Sequence, residues 1–381
     1  MTRTLLVVTP SLHRGGAERH AVRIATALDP TRWRTHVLSF ADGPLRDELE
    51  AAGTPVDVIP TLGGARGVGE AVAAVRDAVE RVRPAAVSGH NVLVEVALRL
   101  ALRGRPLPNV IWKHTYGHIG YRGLRERLFE RTTGAGVTRY GAVCHTQVRY
   151  LTDELGLPPR RISVVANAVP VPRTAPPAPP RSGPPTVLMA AAMRADKDHA
   201  LVLRAWPAVL AHHPRARLRL AGDGPRRAEL EQIAVELGIT DHVEFLGVRD
   251  DVDALLTGAH LLVLASYAVE CFPYAVLEAM AAGRGVVSTN VAGLPEMVED
   301  GVTGRLVPPR DPDALAAALV EGLTGRTCAA WGEAGWRKAR RAFPLDRWAD
   351  RMADLFDDVS GSAGPAAVAA VSGADLAGAA R

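Results

Sequence analysis

The segment Ala168–Pro185 reads AVPVPRTAPPAPPRSGPP and contains eight prolines. Proline fixes φ and removes a backbone N–H, so this segment is unsuited to a helix interior or a central strand. Pro-rich segments of this kind form stiff, extended linkers. Because a chain of 381 residues is long enough for two domains, residues 168–185 are predicted to join them.

Short apolar runs alternate with helical periodicity on both sides of this linker. Upstream, Leu5–Val8 is typical of a strand and Ala17–Leu28 of an amphipathic helix, and the pattern restarts downstream with the strand Thr186–Ala190. Alternating β and α elements predict a parallel sheet with helices on both faces. We therefore predict an α/β fold of two doubly wound, Rossmann-like domains, residues 1–167 and 186–343, that face each other across a cleft.

Two more segments follow the second predicted domain. A helix is expected over residues 344–358, where Trp348 and Leu355 are apolar, and it either ends the second domain or crosses back to the first. Residues 359–381 are mostly Ala, Gly, Ser and Val, which predicts a flexible tail.

Composition and charge exclude several classes of protein. The 45 basic and 41 acidic residues leave a net charge of +4, which does not favour nucleic acid as a partner. Cys144, Cys271 and Cys328 show no paired spacing, so neither a disulfide framework nor a zinc site is predicted. Thr4–Thr9 is too short for the core of a signal peptide, and no apolar stretch reaches the ~18 residues of a membrane span. A cytoplasmic protein without a cofactor is expected.

The first candidate site follows the first predicted strand. Gly15 and Gly16, in PSLHRGGAER, lie between this strand and the first helix. Glycine lets backbone N–H groups approach a ligand closely, and a helix N-terminus favours an anion. A plain strand–helix turn explains the same pair, and for isolated glycines it is the more frequent explanation.

The second candidate site, Ala190–His199, reads AAAMRADKDH and follows the first strand of the second domain. Arg194 and Lys197 lie one turn apart near the carboxyl end of that strand, where a leaving diphosphate needs cationic partners. The chain has three lysines, Lys113, Lys197 and Lys338. This scarcity favours a function for Lys197 over a solvated charge cluster.

The third candidate site, Glu270–Glu278, reads ECFPYAVLE. Pro273 suits the first turn of a helix, which places Glu270 in the preceding loop and Glu278 inside the helix. A carboxylate accepts two hydroxyl hydrogen bonds, as a sugar or a ribose requires. The fourth candidate, Gly293–Val307, reads GLPEMVEDGVTGRLV, and ordinary turns also explain its glycines.

In this order and spacing, the four segments resemble family 4 of the retaining glycosyltransferases, which have the GT-B fold. The resemblance extends over about residues 1–356 and is most specific in LRLAGDGPRRAEL, VEFLGVRDDVDALL and ECFPYAVLEAMAAGRGVVSTNVAGLPEMVEDGVTGRLVPPRDPDALA. It implies transfer of a sugar from a nucleotide-sugar donor to an acceptor hydroxyl. The resemblance also implies front-side attack with retention, in which the leaving phosphate accepts the proton and no side-chain nucleophile is needed.

The resemblance also implies roles for matching residues. Glu278 would hold the nucleotide ribose and Glu270 the transferred sugar, while Lys197 and Arg194 would neutralise the diphosphate. The implied donor-binding residues are Gly15, Gly16, Arg194, Lys197, Glu270, Cys271, Phe272, Pro273 and Glu278. The implied catalytic residues are His114, Glu270, Lys197 and Arg194. His114 in IWKHTYG, together with His90 and Asn91 in SGHN, would form the acceptor side.

Three departures from the family pattern bear on these roles. The usual Gly-Arg-Leu before the lysine is replaced by Ala191–Met193, which displaces the arginine to Arg194. Cys271 replaces a glycine and adds bulk beside the predicted sugar site. Asn167 is followed by Ala168 where glycine is usual.

Other classes of protein share some of these sequence features. Gly222 and Gly224 follow a strand as in a dinucleotide fingerprint, but Arg227 replaces its third glycine, so an NAD enzyme is rejected. A catalytically silent sugar-nucleotide-binding protein stays open, as does an epimerase or a phosphorylase on the same fold.

The sequence leaves the substrates partly open. A UDP-hexose or UDP-N-acetylhexosamine is favoured as donor, GDP-mannose is next, and the acceptor is a glycan, a lipid-linked sugar or a natural product. The arginines of YRGLRERLFER favour a solvated helix over contact with an anionic membrane. Two Asp-x-Asp pairs begin at Asp251 and Asp311, and both are predicted to cap helices, Asp251–Leu256 and Asp313–Leu319, so no metal is expected.

Overall fold

The computed structural model describes residues 2–61, 64–114, 122–268 and 270–361. The described chain divides into an N-terminal unit, residues 2–167 joined by 345–361, and a C-terminal unit, residues 168–344. Among these residues, no helix combines the length and apolar character that crossing a membrane requires.

The N-terminal unit contains a parallel sheet. Its described strands are β1 (Arg3–Thr9), β2 (Trp33–Ser39), β3 (Val56–Val58), β4 (Ala86–His90), β5 (Asn109–Lys113), β6 (Arg139–Ala142) and β7 (Ile162–Val164). Their order is β3-β2-β1-β4-β5-β6-β7. The run Leu5–Val8 is fully buried, as expected for a parallel strand covered on both faces.

Helices connect these strands. They are α1 (Gly16–Ala27), α2 (Arg46–Ala51), α3 (Gly64–Val82), α4 (Val92–Ala101), α5 (Arg122–Thr133) and α6 (His145–Arg149). In α1, His20, Ile24 and their neighbours share one buried face, which is the helical period of an amphipathic sequence.

The C-terminal unit has its own parallel sheet. The strands are β8 (Thr186–Ala190), β9 (Arg217–Ala221), β10 (Val243–Gly247), β11 (Leu261–Leu264), β12 (Gly285–Thr289) and β13 (Gly304–Val307), in the order β10-β9-β8-β11-β12-β13. The helices are α7 (His199–His212), α8 (Arg227–Glu236), α9 (Val252–Thr257), α10 (Tyr274–Ala281), α11 (Leu294–Met297), α12 (Pro312–Leu323) and α13 (Thr327–Ala342).

The last described helix, α14 (Leu345–Val359), belongs to the N-terminal unit. It packs against α1 and β5. Asp357 accepts from Arg32 Nη2 at 2.6 Å and from the indole Nε1 of Trp33 at 2.8 Å. Of the predicted tail, residues 362–381 lie outside the described residues.

The proline-rich segment is anchored to the C-terminal unit. The buried guanidinium of Arg284 donates to the carbonyl oxygen of Pro177 at 2.8 Å and to that of Leu256 at 2.7 Å. His260 Nε2 lies 2.9 Å from the carbonyl oxygen of Pro180. The carbonyl of proline can still accept hydrogen bonds, so Arg284 and His260 provide polar partners for the carbonyl oxygens of Pro177 and Pro180.

Several elements differ from the sequence interpretation. The run Gly141–Cys144 in the sequence predicts a strand, but β6 begins earlier, at Arg139, and Cys144 precedes α6. The short elements α2 and β7 and the long helix α13 were not predicted. Helix α13 reads TCAAWGEAGWRKARRA, whose two glycines weaken the helical signal.

Candidate active site

The carboxyl edge of the C-terminal sheet brings two predicted residues together. Strands β8 and β11 are neighbours, and chain order runs outward from them in both directions, so the loops after them flank a topological switch point. Lys197 follows β8 and Glu270 follows β11, 73 positions apart, and the Lys197 ammonium donates to Glu270 Oε1. This ion pair is largely buried, with side-chain exposures of 18% for Lys197 and 6% for Glu270.

Further hydrogen bonds fix the Glu270 carboxylate and its loop. The Ser266 hydroxyl donates to Glu270 Oε1 at 2.5 Å, and the Thr289 hydroxyl donates to the Ser266 carbonyl at 2.5 Å. The N–H of Gly293 donates to the carbonyl of Glu270 at 2.8 Å. The third and fourth predicted segments therefore meet here. Ser266 and Thr289 are not predictable from the sequence, because single hydroxyls carry no motif.

Arg194 lies on the same loop as Lys197 but has a different partner. Its Nε and Nη2 donate to the Asp196 carboxylate at 2.9 and 2.5 Å, and its side chain is 58% exposed. Hydrogen bonding to Asp196 raises the pKa of Arg194. The structure thus pairs Lys197 with Glu270, whereas Arg194 is engaged by its own neighbour.

Residues Cys271 and Phe272 are buried just before α10. Pro273 is the residue preceding the first turn, in extended conformation, and not in the first turn as predicted. Phe272 packs edge-on against Phe343 with ring centroids 5.2 Å apart. Glu278, in α10, is half-buried. Helix α10 begins directly after residues 271–273, and a helix N-terminus favours an anion such as a phosphate.

The glycines of the N-terminal unit differ in their surroundings. Gly15 precedes α1, and a Cβ there would lie 2.1 Å from Oε2 of Glu18, whereas a Cβ on Gly16 would meet nothing within 4 Å. Burial raises the pKa of Glu18. A Cβ on Gly15 would require a shift of the flexible end of the Glu18 side chain, whereas the open space at Gly16 allows close approach of a ligand.

His114 belongs to a cluster of three histidines at the carboxyl edge of the N-terminal sheet. Nδ1 of His90 lies 3.0 Å from Nε2 of His114 and 3.5 Å from Nδ1 of His20. His20 and His90 are fully buried. His20 is not predictable as a member of this cluster, because a lone histidine on the apolar face of α1 carries no functional signal in the sequence.

Burial keeps these imidazoles neutral. It lowers the pKa of His114 to about 3 and lowers the pKa values of His20 and His90 well below the ordinary histidine range. Nitrogen atoms of the three rings lie within 4.8 Å of one another, which makes them the group of potential metal ligands found among the described residues.

His90 and Asn91, which are predicted to form the acceptor side, differ in exposure. His90 is fully buried, and its contact with an acceptor stays a prediction. Asn91 is exposed, has a φ of +79°, and accepts from the N–H of Val92 at 2.6 Å as the cap of α4. Asn91 thus caps α4 at the turn that follows β4.

The other two lysines have structural partners. Lys113 Nζ donates to Glu95 and Glu130, each at 2.7 Å, inside the N-terminal unit. Lys338 lies 3.0 Å from Glu299 and its side chain is 7% exposed. Scarcity of lysine therefore does not by itself mark function, and the argument for Lys197 rests on its position.

The two Asp-x-Asp pairs differ. Asp311 caps α12, accepting from the N–H of Ala314 at 2.9 Å. Asp251 precedes α9 without capping it and binds Arg249 at 2.8 and 2.6 Å. The predicted cap is thus confirmed for Asp311 and wrong for Asp251. Gly222 of the rejected dinucleotide motif has a φ of +143°, and a Cβ there would lie 2.0 Å from the carbonyl oxygen of Ala191, which explains the glycine by packing.

Comparisons with protein families match both units. Residues 14–173 match the family described as Glycosyltransferase Family 4, and residues 184–324 match Glycosyl transferases group 1. The chain belongs to glycosyltransferase family 4.

Relatives of this family 4 chain include two curated proteins. It is 36% identical over 177 residues to an exopolysaccharide phosphotransferase of Streptomyces coelicolor, covering 45% of this chain and 18% of the relative. It is 32% identical over 197 residues to the gpi3 subunit of a phosphatidylinositol N-acetylglucosaminyltransferase of Schizosaccharomyces pombe, covering 50% of this chain and 43% of the relative. The chain therefore spans less than half the length of either relative.

The fold of this family 4 chain also matches a solved structure. The HepE protein of Anabaena, in complex with UDP and glucose, superposes with a TM-score of 0.82 at 21% identity, covering 93% of this chain and 99% of that one. The two units are thus the Rossmann-like domains of a GT-B fold.

Proposed function

We propose that this protein is a retaining glycosyltransferase that moves a hexose or N-acetylhexosamine from a nucleotide sugar, with UDP-sugars favoured, to an acceptor hydroxyl. The observation that carries the proposal is the buried Lys197–Glu270 pair at the switch point of the C-terminal sheet. This edge is where open α/β sheets bind ligands. The pair offers a cation for a leaving diphosphate and a carboxylate for sugar hydroxyls.

The donor is proposed to bind the C-terminal unit. Lys197 and the N-terminus of α10 would neutralise the diphosphate, and Arg194 would join them by exchanging its Asp196 partner for a phosphate, a strong bidentate ligand for arginine. The Glu278 carboxylate would accept from the two ribose hydroxyls. Retention would follow from front-side attack, in which the leaving phosphate takes the acceptor proton.

His114 is proposed to act on the sugar as a neutral hydrogen-bond donor. Burial lowers its pKa to about 3, so at neutral pH the ring carries one proton and no charge. A neutral N–H donor suits a sugar hydroxyl better than a phosphate, because a cation binds an anion more strongly than a neutral donor does.

Two properties complete the proposal. Transfer would need no divalent metal, because Lys197, Arg194 and the helix N-terminus already supply positive potential at the diphosphate. The enzyme would work in the reducing cytoplasm, where the three buried cysteines keep their thiols.

A donor screen tests the function. The purified protein is incubated with UDP- and GDP-sugars, with and without candidate acceptors, and nucleoside diphosphate release is followed by mass spectrometry. We expect release from one donor by slow hydrolysis, and a loss of at least ~10²-fold in Lys197→Met. Turnover that requires orthophosphate would instead establish a phosphorylase. Binding of UDP without turnover under any condition would establish a silent binding protein.

A further inference from the structure

The register of the N-terminal sheet aligns four polar side chains on one face. Strand β4 pairs with β5 so that His90 stands opposite Trp112. Side chains two residues apart in a strand share a face, which brings Ser88 to the face of His90 and His114 to the face of Trp112. The indole fits because its partner on β6 is Gly141, where a Cβ would lie 2.3 Å from the Trp112 ring.

These side chains form a continuous hydrogen-bonded chain. Nε1 of Trp112 lies 3.1 Å from the Ser88 hydroxyl, which lies 3.0 Å from Nε2 of His90. Nδ1 of His90 in turn lies 3.0 Å from Nε2 of His114. Ser88, His90 and Trp112 are all buried, so water does not compete for these contacts.

The indole N–H can only donate, so the Ser88 oxygen accepts from Trp112. Among the described residues, the one other polar partner of the Ser88 hydroxyl is Nε2 of His90, so the buried Ser88 proton is donated to that nitrogen. A neutral His90 then carries its own proton on Nδ1 and donates it to Nε2 of His114. We propose that Ser88 and His90 are positioning residues that hold His114 as the tautomer protonated on Nδ1.

The ring geometry favours this chain over a metal site. The planes of His90 and His114 differ by 20° and their centroids are 5.3 Å apart, so two nitrogens 3.0 Å apart face each other head-on. Head-on approach suits an N–H···N hydrogen bond, whereas two ligands of one metal ion aim at a third point between them. Nδ1 of His20 lies farther from His90, at 3.5 Å.

The tautomer of His114 limits what this side chain can do in sugar transfer, and that role rests on the proposed function. With Nε2 occupied, the nitrogen that His114 can offer a substrate is Nδ1, and it carries a proton. His114 then donates to a sugar hydroxyl and is unable to accept the proton of the attacking acceptor. That proton is left to the leaving phosphate, in agreement with the front-side mechanism.

The tautomer is tested by ¹⁵N NMR of the protein labelled at histidine. Long-range proton–nitrogen correlations should show a protonated Nδ1 and a bare Nε2 for His114, assigned by the loss of its signals in His114→Ala. The spectrum should not change with EDTA or added Zn²⁺. A protonated Nε2, or a shift produced by Zn²⁺, would overturn the inference whatever the activity of the protein.

Paired variants test the positioning roles. In His90→Asn, the amide nitrogen is as many bonds from Cα as Nδ1 of the histidine. In His90→Gln, the amide nitrogen is as many bonds from Cα as Nε2. We expect His90→Asn to keep turnover within ~3-fold and His90→Gln to lose ~10²-fold, with nucleotide affinity unchanged in both. Ser88→Ala should lose about 3- to 10-fold and add the second His114 tautomer to the spectrum.

A matched control removes a buried hydroxyl elsewhere in the same sheet. Ser39→Ala on β2, whose hydroxyl donates to the Ala41 carbonyl at 2.7 Å, should change neither turnover nor the His114 signals. Equal losses in His90→Asn and His90→Gln, with the tautomer unchanged, would refute the positioning role. Full turnover in His114→Ala would refute the proposed role of His114 in transfer and leave the tautomer assignment standing.

Discussion

Replacing Lys197 with methionine removes the ammonium group and keeps an unbranched apolar stem. In the wild type this ammonium donates to Glu270, whose side chain is 6% exposed. Removing one member of a buried ion pair costs about 3–5 kcal/mol, because the other charge stays buried without a partner. The 18% exposure of Lys197 and the remaining Ser266 hydrogen bond reduce this cost, so we expect a loss of about 1–3 kcal/mol in stability.

In Lys197→Met, turnover should fall by more than any loss of folded protein accounts for. If Lys197 also neutralises the leaving diphosphate, kcat falls by ~10²–10³-fold in protein that is still folded. In the double variant Lys197→Met/Glu270→Gln the unpartnered charge is gone, so most of the stability returns while turnover stays low. The stability coupling between the two sites should be about 1–3 kcal/mol.

Urea unfolding is measured for the wild type, Lys197→Met, Glu270→Gln and the double variant. Turnover of the same four proteins is measured as release of nucleoside diphosphate at saturating donor. Lys338→Met is the matched control, because Lys338 also forms a buried pair in the C-terminal unit, 3.0 Å from Glu299. It should lower stability and leave kcat unchanged. Wild-type kcat in folded Lys197→Met would refute the catalytic role, and additive stability losses would refute the ion pair.

Three further outcomes are expected. Glu278→Ala should weaken binding of UDP by about 1–3 kcal/mol, since charge-assisted hydrogen bonds to ribose are lost, while Glu270→Gln should lower kcat more than UDP affinity; calorimetry with the opposite ranking would reverse the two roles. Excess EDTA should leave transfer unchanged, and an activity that EDTA abolishes and Mn²⁺ restores would make Asp251 the first residue to mutate. Acid should destabilise the protein, because burial holds the folded pKa values of His20 and His90 well below the ordinary value. Their contribution to stability is complete above the unfolded pKa of ~6.5 and is lost progressively as pH falls below it. Unfolding free energies at pH 7 and pH 5 check this, with a smaller difference expected for His20→Leu; equal differences would mean that His20 is not buried neutral.

Local rules were enough to predict the two sheets and the family. Residues such as Leu5–Val8 and Thr186–Ala190 form short apolar runs between helical periods, and burial on both faces of a parallel strand requires such runs. The proline-rich segment marked the division of the chain because proline excludes regular structure without any tertiary contact. The family resemblance rested on contiguous segments, such as the one from Glu270 to Glu278, whose spacing is readable along the chain.

The partners of the candidate residues were decided by the tertiary structure. Lys197 and Glu270 are 73 positions apart and meet because β8 and β11 are neighbours in the sheet, a choice of strand order that no local pattern encodes. The same holds for His20 and His90, which come from a helix and a strand 70 positions apart. Ser88, His90 and Trp112 form no contiguous motif in the sequence, and only the register that places them side by side makes them a hydrogen-bonded chain. Sequence periodicity determines which residues are buried, whereas hydrogen-bonded partners depend on contacts between segments that are distant along the chain.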